Sequence, residues 1–380
     1  MLYPLSYGGV PEDSSMPVTR AHGSRMLIAA EWESSTQCQA EEGLMRRGSL
    51  VGAALIVALL AAAVVWYLLR VEDLPEPELI HYWPLTGEVA PDEDATRTRV
   101  VSVKIENSSA ARPQAGLADA DVVYETLSEG GIPRFNALFH SALPARVGPV
   151  RSARISDTYL VPQYVALFAY TGASEEIRRR IQAAEIDDLG MERQPGLYER
   201  DPGRSAPHDV YTNAAEVQAA AGGAGFPTVV VPRGFLFGDV PEALAEAPAA
   251  TRIDVPFAGG NDVTWMWDET RDVWLRYVAG APHVDEGAAE PYTASNVVVM
   301  YAETRETDLR DVTGAPVLDI RLDGSGSAVV LREGRRYEVG WTASPGVPPR
   351  FEAADGTEFP LAAGNTWIEV VAPGHDVSID

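Results

Sequence analysis

One uncharged apolar run, residues 50–69, restricts what this chain can form more than any other feature. Its twenty residues match the length of helix that crosses the hydrocarbon core of a bilayer. There the backbone must satisfy its own hydrogen bonds, which a helix does. A core helix of a soluble protein would show a polar face, and this run has none. The sequence therefore predicts one transmembrane helix, within an anchor segment that extends over residues 46–70.

Charges beside this run predict its orientation. Arg46 and Arg47 precede it, whereas only Arg70 follows it. Because basic flanks stay on the cytoplasmic side, residues 1–45 are expected in the cytoplasm and the larger C-terminal part outside the cell membrane. The mixed composition of this N-terminal tail, without a sustained period, predicts disorder. The protein is thus predicted to be a single-pass membrane protein with an extracytoplasmic domain.

Two alternatives concern where the mature chain begins. Met45 would make an ordinary start for a membrane-anchored protein, which would remove the tail. A signal peptidase could instead cleave after the small residues at 61–63. Trp66 and Tyr67 continue the apolar run with residues typical of the membrane interface, which favours an anchor that is not cleaved.

The chain beyond the apolar run is strongly acidic. Its formal net charge is −25, and nearly all of this lies after residue 70. Such a surface repels the phosphate backbone of nucleic acids, so no nucleic-acid partner is predicted. The single lysine, Lys104, belongs to neither a P-loop nor a Ser-x-x-Lys motif. The single cysteine, Cys38, precedes the run, which excludes a disulfide and a catalytic thiolate from the extracytoplasmic part.

Composition divides the rest of the chain into four stretches, and the predicted fold class is α+β. Residues 71–97 are rich in proline and acidic side chains, as expected of a spacer. Residues 98–225 mix strand and helix signals and predict an N-terminal α/β domain. Residues 226–255, rich in glycine and proline, predict a linker. Alternating apolar residues over 256–375 predict a β-rich C-terminal domain whose antiparallel sheet has one solvated face.

Local signals in the N-terminal domain predict its elements. Residues 100–105 and 133–140 predict strands, and residues 121–129 fit either a strand or a helix. A hairpin through the glycine pair at 130–131 would bring the second and third of these segments together. Ser174, a typical N-cap residue followed by an acidic first turn, predicts one short helix, and the alanine-rich residues 213–221 predict another.

Residues 104–154 reverse the acidic balance of the chain, with six basic side chains against five acidic ones. Pro149 is typical of the first turn of a helix, which would place Arg151 and Arg154 on one face. Guanidinium groups donate forked hydrogen bonds to carboxylates and phosphates. The stretch therefore predicts a cleft for an anionic cell-wall or envelope ligand.

Candidate ligand-binding residues are the polar side chains of this stretch and of a later loop. They are Glu106, Asn107, Arg112, Arg134, Arg151, Arg154, His208 and Tyr211. Under the alternative interpretation, the arginines only pair with Glu106, Glu125 and Glu129 in a structural network. If both interpretations hold, the acids orient the arginines while a ligand takes the remaining donors.

A second hypothesis is a hydrolase of an envelope glycan or phosphodiester. Glu125 and Glu129, four residues apart, would form a carboxylate pair, and His208 would carry the proton. Glutamates at this spacing also occur by chance, so the motif is not specific. The histidines show no ligand spacing, and neither a metal nor a cofactor is predicted.

A third hypothesis is a scaffold that binds a protein of cell-wall assembly. Trp265 and Trp267 alternate onto one face of a predicted strand, where Trp341 or Trp367 could join them. Under the alternative interpretation, these rings form the core of the sheet. Exposed rings would favour an interface, and buried rings would remove its basis.

Several motifs resemble one family, the YerB-like lipoproteins known as DUF3048. In the first half they are IEN at 105–107, ARPQAG at 111–116, ADVVYE at 120–125, EGGIPRF at 129–135, GPVRSAR at 148–154 and APHDVYT at 206–212. In the second half they are GSG at 324–326 with Trp341, and GNTW at 364–367. The resemblance covers roughly residues 80–374. It implies a bacterial extracytoplasmic envelope protein with two domains, and it implies no particular reaction. The chain departs from the family in lacking a Leu-x-x-Cys lipobox, so its anchor would be the helix at 50–69.

Overall fold

A computed structural model describes residues 50–67, 79–258, 260–311 and 313–380. The chain divides into two compact units, Met1–Glu78 and Leu79–Asp380. In the first, Leu50–Tyr67 forms helix α1, with a mean hydropathy of 2.5, which is long and apolar enough to cross a membrane. The predicted tail, the ends of the predicted anchor and residues 71–78 of the predicted spacer lie outside the described residues.

Four short α-helices lie in the described part of the second unit. They are α2 (Glu93–Thr96), α3 (Asp157–Leu160), α4 (Glu175–Ala183) and α5 (Ala214–Ala219). The hydroxyl of Ser174 accepts a hydrogen bond from the Ile177 backbone N–H at 3.3 Å, and the Asn213 side chain accepts one from Glu216 at 3.1 Å. The predicted N-cap Ser174 is confirmed, and Asn213 also caps its helix, because each side chain satisfies a backbone donor of the first turn.

The described residues of this unit also form twenty-two strands. Those of the N-terminal part are β1 (His81–Tyr82), β2 (Val89–Ala90), β3 (Val101–Glu106), β4 (Val122–Leu127), β5 (Pro133–Phe139), β6 (Leu167–Ala169), β7 (Asp187–Asp188), β8 (Tyr198–Arg200) and β9 (Val210–Thr212). Those of the C-terminal part are β10 (Arg252–Val255), β11 (Val263–Asp268), β12 (Val273–Val278), β13 (Ala281–Pro282), β14 (Thr293–Ala294), β15 (Asn296–Tyr301), β16 (Thr304–Arg310), β17 (Pro316–Ile320), β18 (Gly324–Arg332), β19 (Arg335–Ser344), β20 (Val347–Glu352), β21 (Thr366–Val371) and β22 (Ser378–Ile379).

One ten-stranded sheet contains strands from both parts, in the order β20-β19-β18-β15-β21-β4-β5-β3-β6-β7. The two parts meet where β21 pairs in parallel with β4, from Thr366 opposite Val122 to Val370 opposite Thr126. A second sheet has the order β13-β12-β11-β10-β22, with β14 also paired to β12. The predicted domain boundaries stay a prediction, while one sheet runs through both predicted domains.

Both faces of the large sheet are covered by apolar side chains. On one face, Val123 and Trp367 pack in a cluster with Trp265 of the second sheet. On the other, Tyr124 and Ile368 join a cluster that includes residues of α3 and α4. Adjacent residues of one strand point to opposite faces, so β4 and β21 contribute to both clusters.

Two predictions about elements are wrong. The first is the antiparallel sheet with one solvated face. It holds for β19, whose exposure alternates, but it is wrong for β15 and β21, which are parallel neighbours, and β21 is buried throughout. Such strands are apolar without alternation because both their faces are covered. The helix predicted from Pro149 is also absent. The backbone N–H groups of Val150 and Arg151 instead bond to Val210 and Lys104, and α3 begins only at Asp157.

Candidate functional site

Three arginines, Arg134, Arg151 and Arg154, lie together where β5 begins and where the chain approaches α3; we call them the arginine cluster. Arg134 stands opposite Glu106, the last residue of β3, in the register of β3 and β5. Arg134 and Arg154 both donate to the carbonyl of Ser152, at 3.0 and 3.4 Å. The three side chains are only partly exposed.

Two carboxylates each hold one arginine of the cluster. Glu106 Oε2 lies 3.2 Å from Arg151 Nε, outside hydrogen-bond alignment, and 2.7 Å from His208 Nδ1. Glu129 Oε2 accepts a hydrogen bond of 2.6 Å from Arg154 Nε. The structure thus brings Glu106, Glu129 and His208 to the arginines. The two acids contact the guanidinium groups that the sequence predicted they would orient.

Arg134 has a different environment from its two neighbours. In the described ranges its guanidinium donates only to the Ser152 carbonyl and forms no ion pair with a carboxylate. Burial, together with the positive charges of Arg154 and Arg151, lowers the pKa of Arg134 to about 9, although the charges of Glu129 and Glu106 oppose the shift. Three guanidinium groups against two carboxylates leave a local excess of positive charge, which an anion would relieve.

A buried ion pair fixes the chain that carries this cluster. Lys104 Nζ lies 2.6 Å from Asp157 Oδ1, which also accepts a hydrogen bond of 3.1 Å from Asn136. The second oxygen of Asp157 accepts from the backbone N–H of Arg154 at 2.6 Å. Burial lowers the pKa of Lys104, although Asp157 opposes that shift. The only lysine of the chain therefore helps to fix the arginine cluster, because its partner Asp157 holds the Arg154 backbone.

Glu125 belongs to a separate cluster, the buried ionic network of Glu125, Arg276 and Glu369. Arg276 donates to both carboxylates, and its Nη1 lies 2.6 Å from Glu369 Oε1. All three side chains are fully buried. Burial raises the pKa of Glu125, as does the carboxylate of Glu369, while Arg276 opposes the shift. His283 accepts from Arg276 Nε at 3.1 Å and meets Gln114 through its other nitrogen.

Two of the predicted ligand-binding residues, Asn107 and Arg112, extend this network. Neither forms a hydrogen bond with a side chain of the arginine cluster in the described ranges. Asn107 donates to Glu125 Oε1 at 2.6 Å. Arg112 donates to Asn107 and, at 2.5 Å, to Asn261. Desolvation by burial lowers the pKa of Arg112. These side chains join the two halves of the fold.

Tyr211, the last predicted binding residue, is buried under a different arginine. The guanidinium carbon of Arg146 lies 3.6 Å from the centre of its ring. Arg146 also forms ion pairs with Glu199, Asp201 and Glu286 at 2.5–3.2 Å. The sequence analysis missed Arg146, although it falls within the charge-reversed stretch.

The carboxylate pair of the hydrolase hypothesis is not assembled. Glu125 lies in β4 and bonds to Arg276, whereas Glu129 follows the strand in a 3-10 turn and bonds to Arg154. The spacing of four residues therefore does not place the two groups on one face. Across the described ranges, no group of three His, Cys, Asp or Glu side chains is placed to hold a metal ion.

The tryptophans of the scaffold hypothesis are mostly core residues. Trp265 and Trp367 are buried and pack edge to face with ring centres 5.3 Å apart. Trp341 is buried in the other cluster, and its indole N–H donates to Tyr301. Trp267 is half-buried against Trp274. A protein partner stays a prediction, without the exposed rings on which it was based.

Two family models match most of the second unit. One, described as "Protein of unknown function (DUF3048) N-terminal domain", matches residues 85–227, and the corresponding C-terminal domain model matches residues 253–368. The chain belongs to the DUF3048 family. The N-terminal DUF3048 segment holds the whole arginine cluster, whereas the buried ionic network takes Arg276 from the C-terminal DUF3048 segment.

Two comparisons with known proteins support this assignment. YerB of Bacillus subtilis strain 168, named as a candidate lipoprotein, is 30% identical over 295 residues, which cover 76% of this chain and 85% of YerB. The crystal structure of YerB protein from Bacillus subtilis aligns with a TM-score of 0.69 and 28% identity, covering 79% of this chain and 99% of the solved chain. The predicted family and the predicted α+β fold class are confirmed.

Proposed function

We propose that this DUF3048 protein is anchored in the cell membrane by α1 and binds an anionic cell-wall or envelope ligand outside the cytoplasm, through the arginine cluster. Similarity to a candidate lipoprotein and the apolar helix Leu50–Tyr67 support membrane association. The flanking Arg46 and Arg47 support the orientation. The family itself points to no reaction, so binding is the simpler role.

One observation carries the binding proposal: Arg134 is held beside two other arginines without a carboxylate of its own among the described residues. Keeping three guanidinium groups together is unfavourable unless an anion compensates them. A carboxylate or phosphate can accept two parallel N–H bonds from one guanidinium. Glu106 and Glu129 orient Arg151 and Arg154, so the donors are in place before the ligand binds.

Calorimetry on the full chain in detergent tests this proposal, with muropeptides, wall phosphopolymers and lipid-linked precursors as probes. Removing the charge with Arg134→Gln should weaken binding about tenfold to a hundredfold, since a charged hydrogen bond contributes about 1.5–3 kcal/mol. Arg305→Gln is the matched control, because Arg305 is an exposed arginine paired with Glu303. Its binding should equal that of the wild type.

Three further readouts decide between the hypotheses. Unchanged affinity in Arg134→Gln would overturn the proposal. Loss of stability in Arg151→Ala and Arg154→Ala, without an effect on binding, would assign those two arginines to a structural network. Product analysis on the same samples covers hydrolysis: a wall fragment cleaved by the wild type would make this protein an enzyme.

A further inference from the structure

A cavity of 690 Å³ lies away from the arginine cluster and shares no lining residue with it. Its volume is within the range of small-molecule sites. Four aromatic side chains line it: Tyr82 and Trp83 from the β1 region, and Phe235 and Phe237 from the chain between the two DUF3048 segments. The C-terminal segment contributes Asp272, Ser295, Arg332, Glu333 and residues 362–363 to the wall. Cavities where separate segments of a fold meet are common ligand sites.

The walls of this cavity are held together by backbone contacts. In the turn between β1 and β2, the Pro84 carbonyl accepts a hydrogen bond from the backbone N–H of Phe235 at 3.1 Å. The Thr86 carbonyl accepts one from the backbone N–H of Gly364 at 2.7 Å. Gly87 has φ +67°, and a Cβ there would lie 2.4 Å from Cγ of Phe237. The turn therefore packs directly on the Phe237 ring, and the cavity exists before any ligand binds.

Charges in the lining favour one kind of ligand. Arg332 is buried and lines the cavity, but its terminal nitrogens already donate to Gly238, to Pro360 and to Glu333. Asp239 and Asp272 are exposed lining residues that form no ion pair with any described residue. Once Glu333 is matched with Arg332, two negative charges remain beside aromatic walls.

We infer that this cavity binds an organic cation, an ammonium group on a small skeleton that packs against the aromatic side chains. Carboxylates attract the ammonium group, and aromatic faces are negative and stabilise a cation placed over them. Anionic ligands would meet Asp239 and Asp272, which excludes the ligand class of the arginine cluster. Arg332 adds a second requirement: its Nε–H is buried and has no partner in the described ranges. A ligand that also carries an oxygen acceptor suits that wall.

Paired probes that differ only in charge test this inference on the full chain in detergent. Glucosamine is compared with glucose, and choline with 3,3-dimethylbutan-1-ol, by calorimetry and saturation-transfer NMR. The cations should bind at least tenfold more tightly than their neutral partners. Asp239→Asn and Asp272→Asn should each weaken cation binding at least threefold and flatten its dependence on salt.

Asp119→Asn is the matched control, because Asp119 is exposed, forms no ion pair in the described part and lies outside the cavity. It removes the same charge and should leave binding unchanged. Equal binding of charged and neutral probes would overturn the inference, as would no binding by either cation. Cation binding that survives both Asp239→Asn and Asp272→Asn would overturn the assigned location. Arg134→Gln should not affect these probes, so failure here is separate from failure of the anion site.

Discussion

His140 is a buried polar side chain whose protonation the fold restricts. His140 is 2% exposed, and neither of its ring nitrogens has a well-formed hydrogen bond in the described part. Its ring packs edge to face on Trp83 at 4.9 Å. Burial lowers the pKa of His140 to about 4, although the Thr98 carbonyl opposes the shift. The residue is therefore neutral in the folded protein at ordinary pH.

The His140 pKa predicts a change of stability with acid. Between the ordinary histidine pKa of 6.5 and about 4, the unfolded chain takes a proton that the folded chain refuses. The folded state should therefore lose up to about 2 kcal/mol between pH 7 and pH 5 through this group. Urea unfolding of the wild type and of His140→Phe at both pH values measures this difference.

The comparison with His140→Phe isolates this group from Asp121, which accepts from the His140 backbone N–H. Burial raises the pKa of Asp121 to about 6, so that carboxyl acts in the opposite direction as pH falls. It remains in both proteins and cancels from the difference. Equal pH slopes for the two proteins would contradict the assigned role of His140.

At the scale of elements, the buried ionic network ties three strands from two sheets. Glu125 belongs to β4, Glu369 to β21 and Arg276 to β12. The indole N–H of Trp265 also donates to Glu369 at 2.9 Å. None of the three side chains reaches solvent, so their charges are satisfied by one another and by buried neighbours such as Trp265.

Removing the shared cation should therefore destabilise the fold strongly. We expect Arg276→Met to lower the free energy of unfolding by about 3–5 kcal/mol, since two buried carboxylates lose their partner. Chemical unfolding of the full chain in detergent measures the loss. Arg178→Met is the control, because Arg178 pairs with Glu192 on the surface, where such a pair contributes about 0–1 kcal/mol. Equal losses would mean that the network contributes no more than a surface pair.

At the scale of the whole second unit, continuity of the ten-stranded sheet determines cooperativity. β4 lies in the interior of that sheet, between β5 and β21. A chain that ends at Val255 would lack β21 and leave β4 with an unpaired edge along Val122 to Thr126. Exposed edges of apolar strands promote aggregation. The N-terminal DUF3048 segment should therefore not fold stably alone.

Truncation tests this expectation. Residues 1–255 should show no cooperative unfolding transition by circular dichroism, whereas the full chain should show one transition that coincides for circular dichroism and tryptophan fluorescence. Co-expression with residues 256–380 should restore a soluble complex by supplying β21. A cooperative transition in the truncated chain alone would show that the two segments are independent domains.

Patterns within a few residues predicted much of the fold. The strand predicted at 100–105 is β3, the segment at 133–140 is β5, and the N-cap predicted at Ser174 is in place. Local periods succeed because a strand or helix sets the direction of its own side chains. The charge reversal over 104–154 likewise predicted the arginine cluster, because its members lie close together in the sequence.

The amino-acid sequence by itself determined the apolar helix, the acidic surface, the DUF3048 membership and the arginine-rich segment. Only the tertiary structure decided which charges meet. Arg276 lies 151 residues from Glu125, and 93 from Glu369. The parallel pairing of β21 with β4 brings these residues together, and no short-range period specifies strand order. In the same fold, Glu125 pairs with Arg276 whereas Glu129 pairs with Arg154. Arg134 has no carboxylate partner among the described residues.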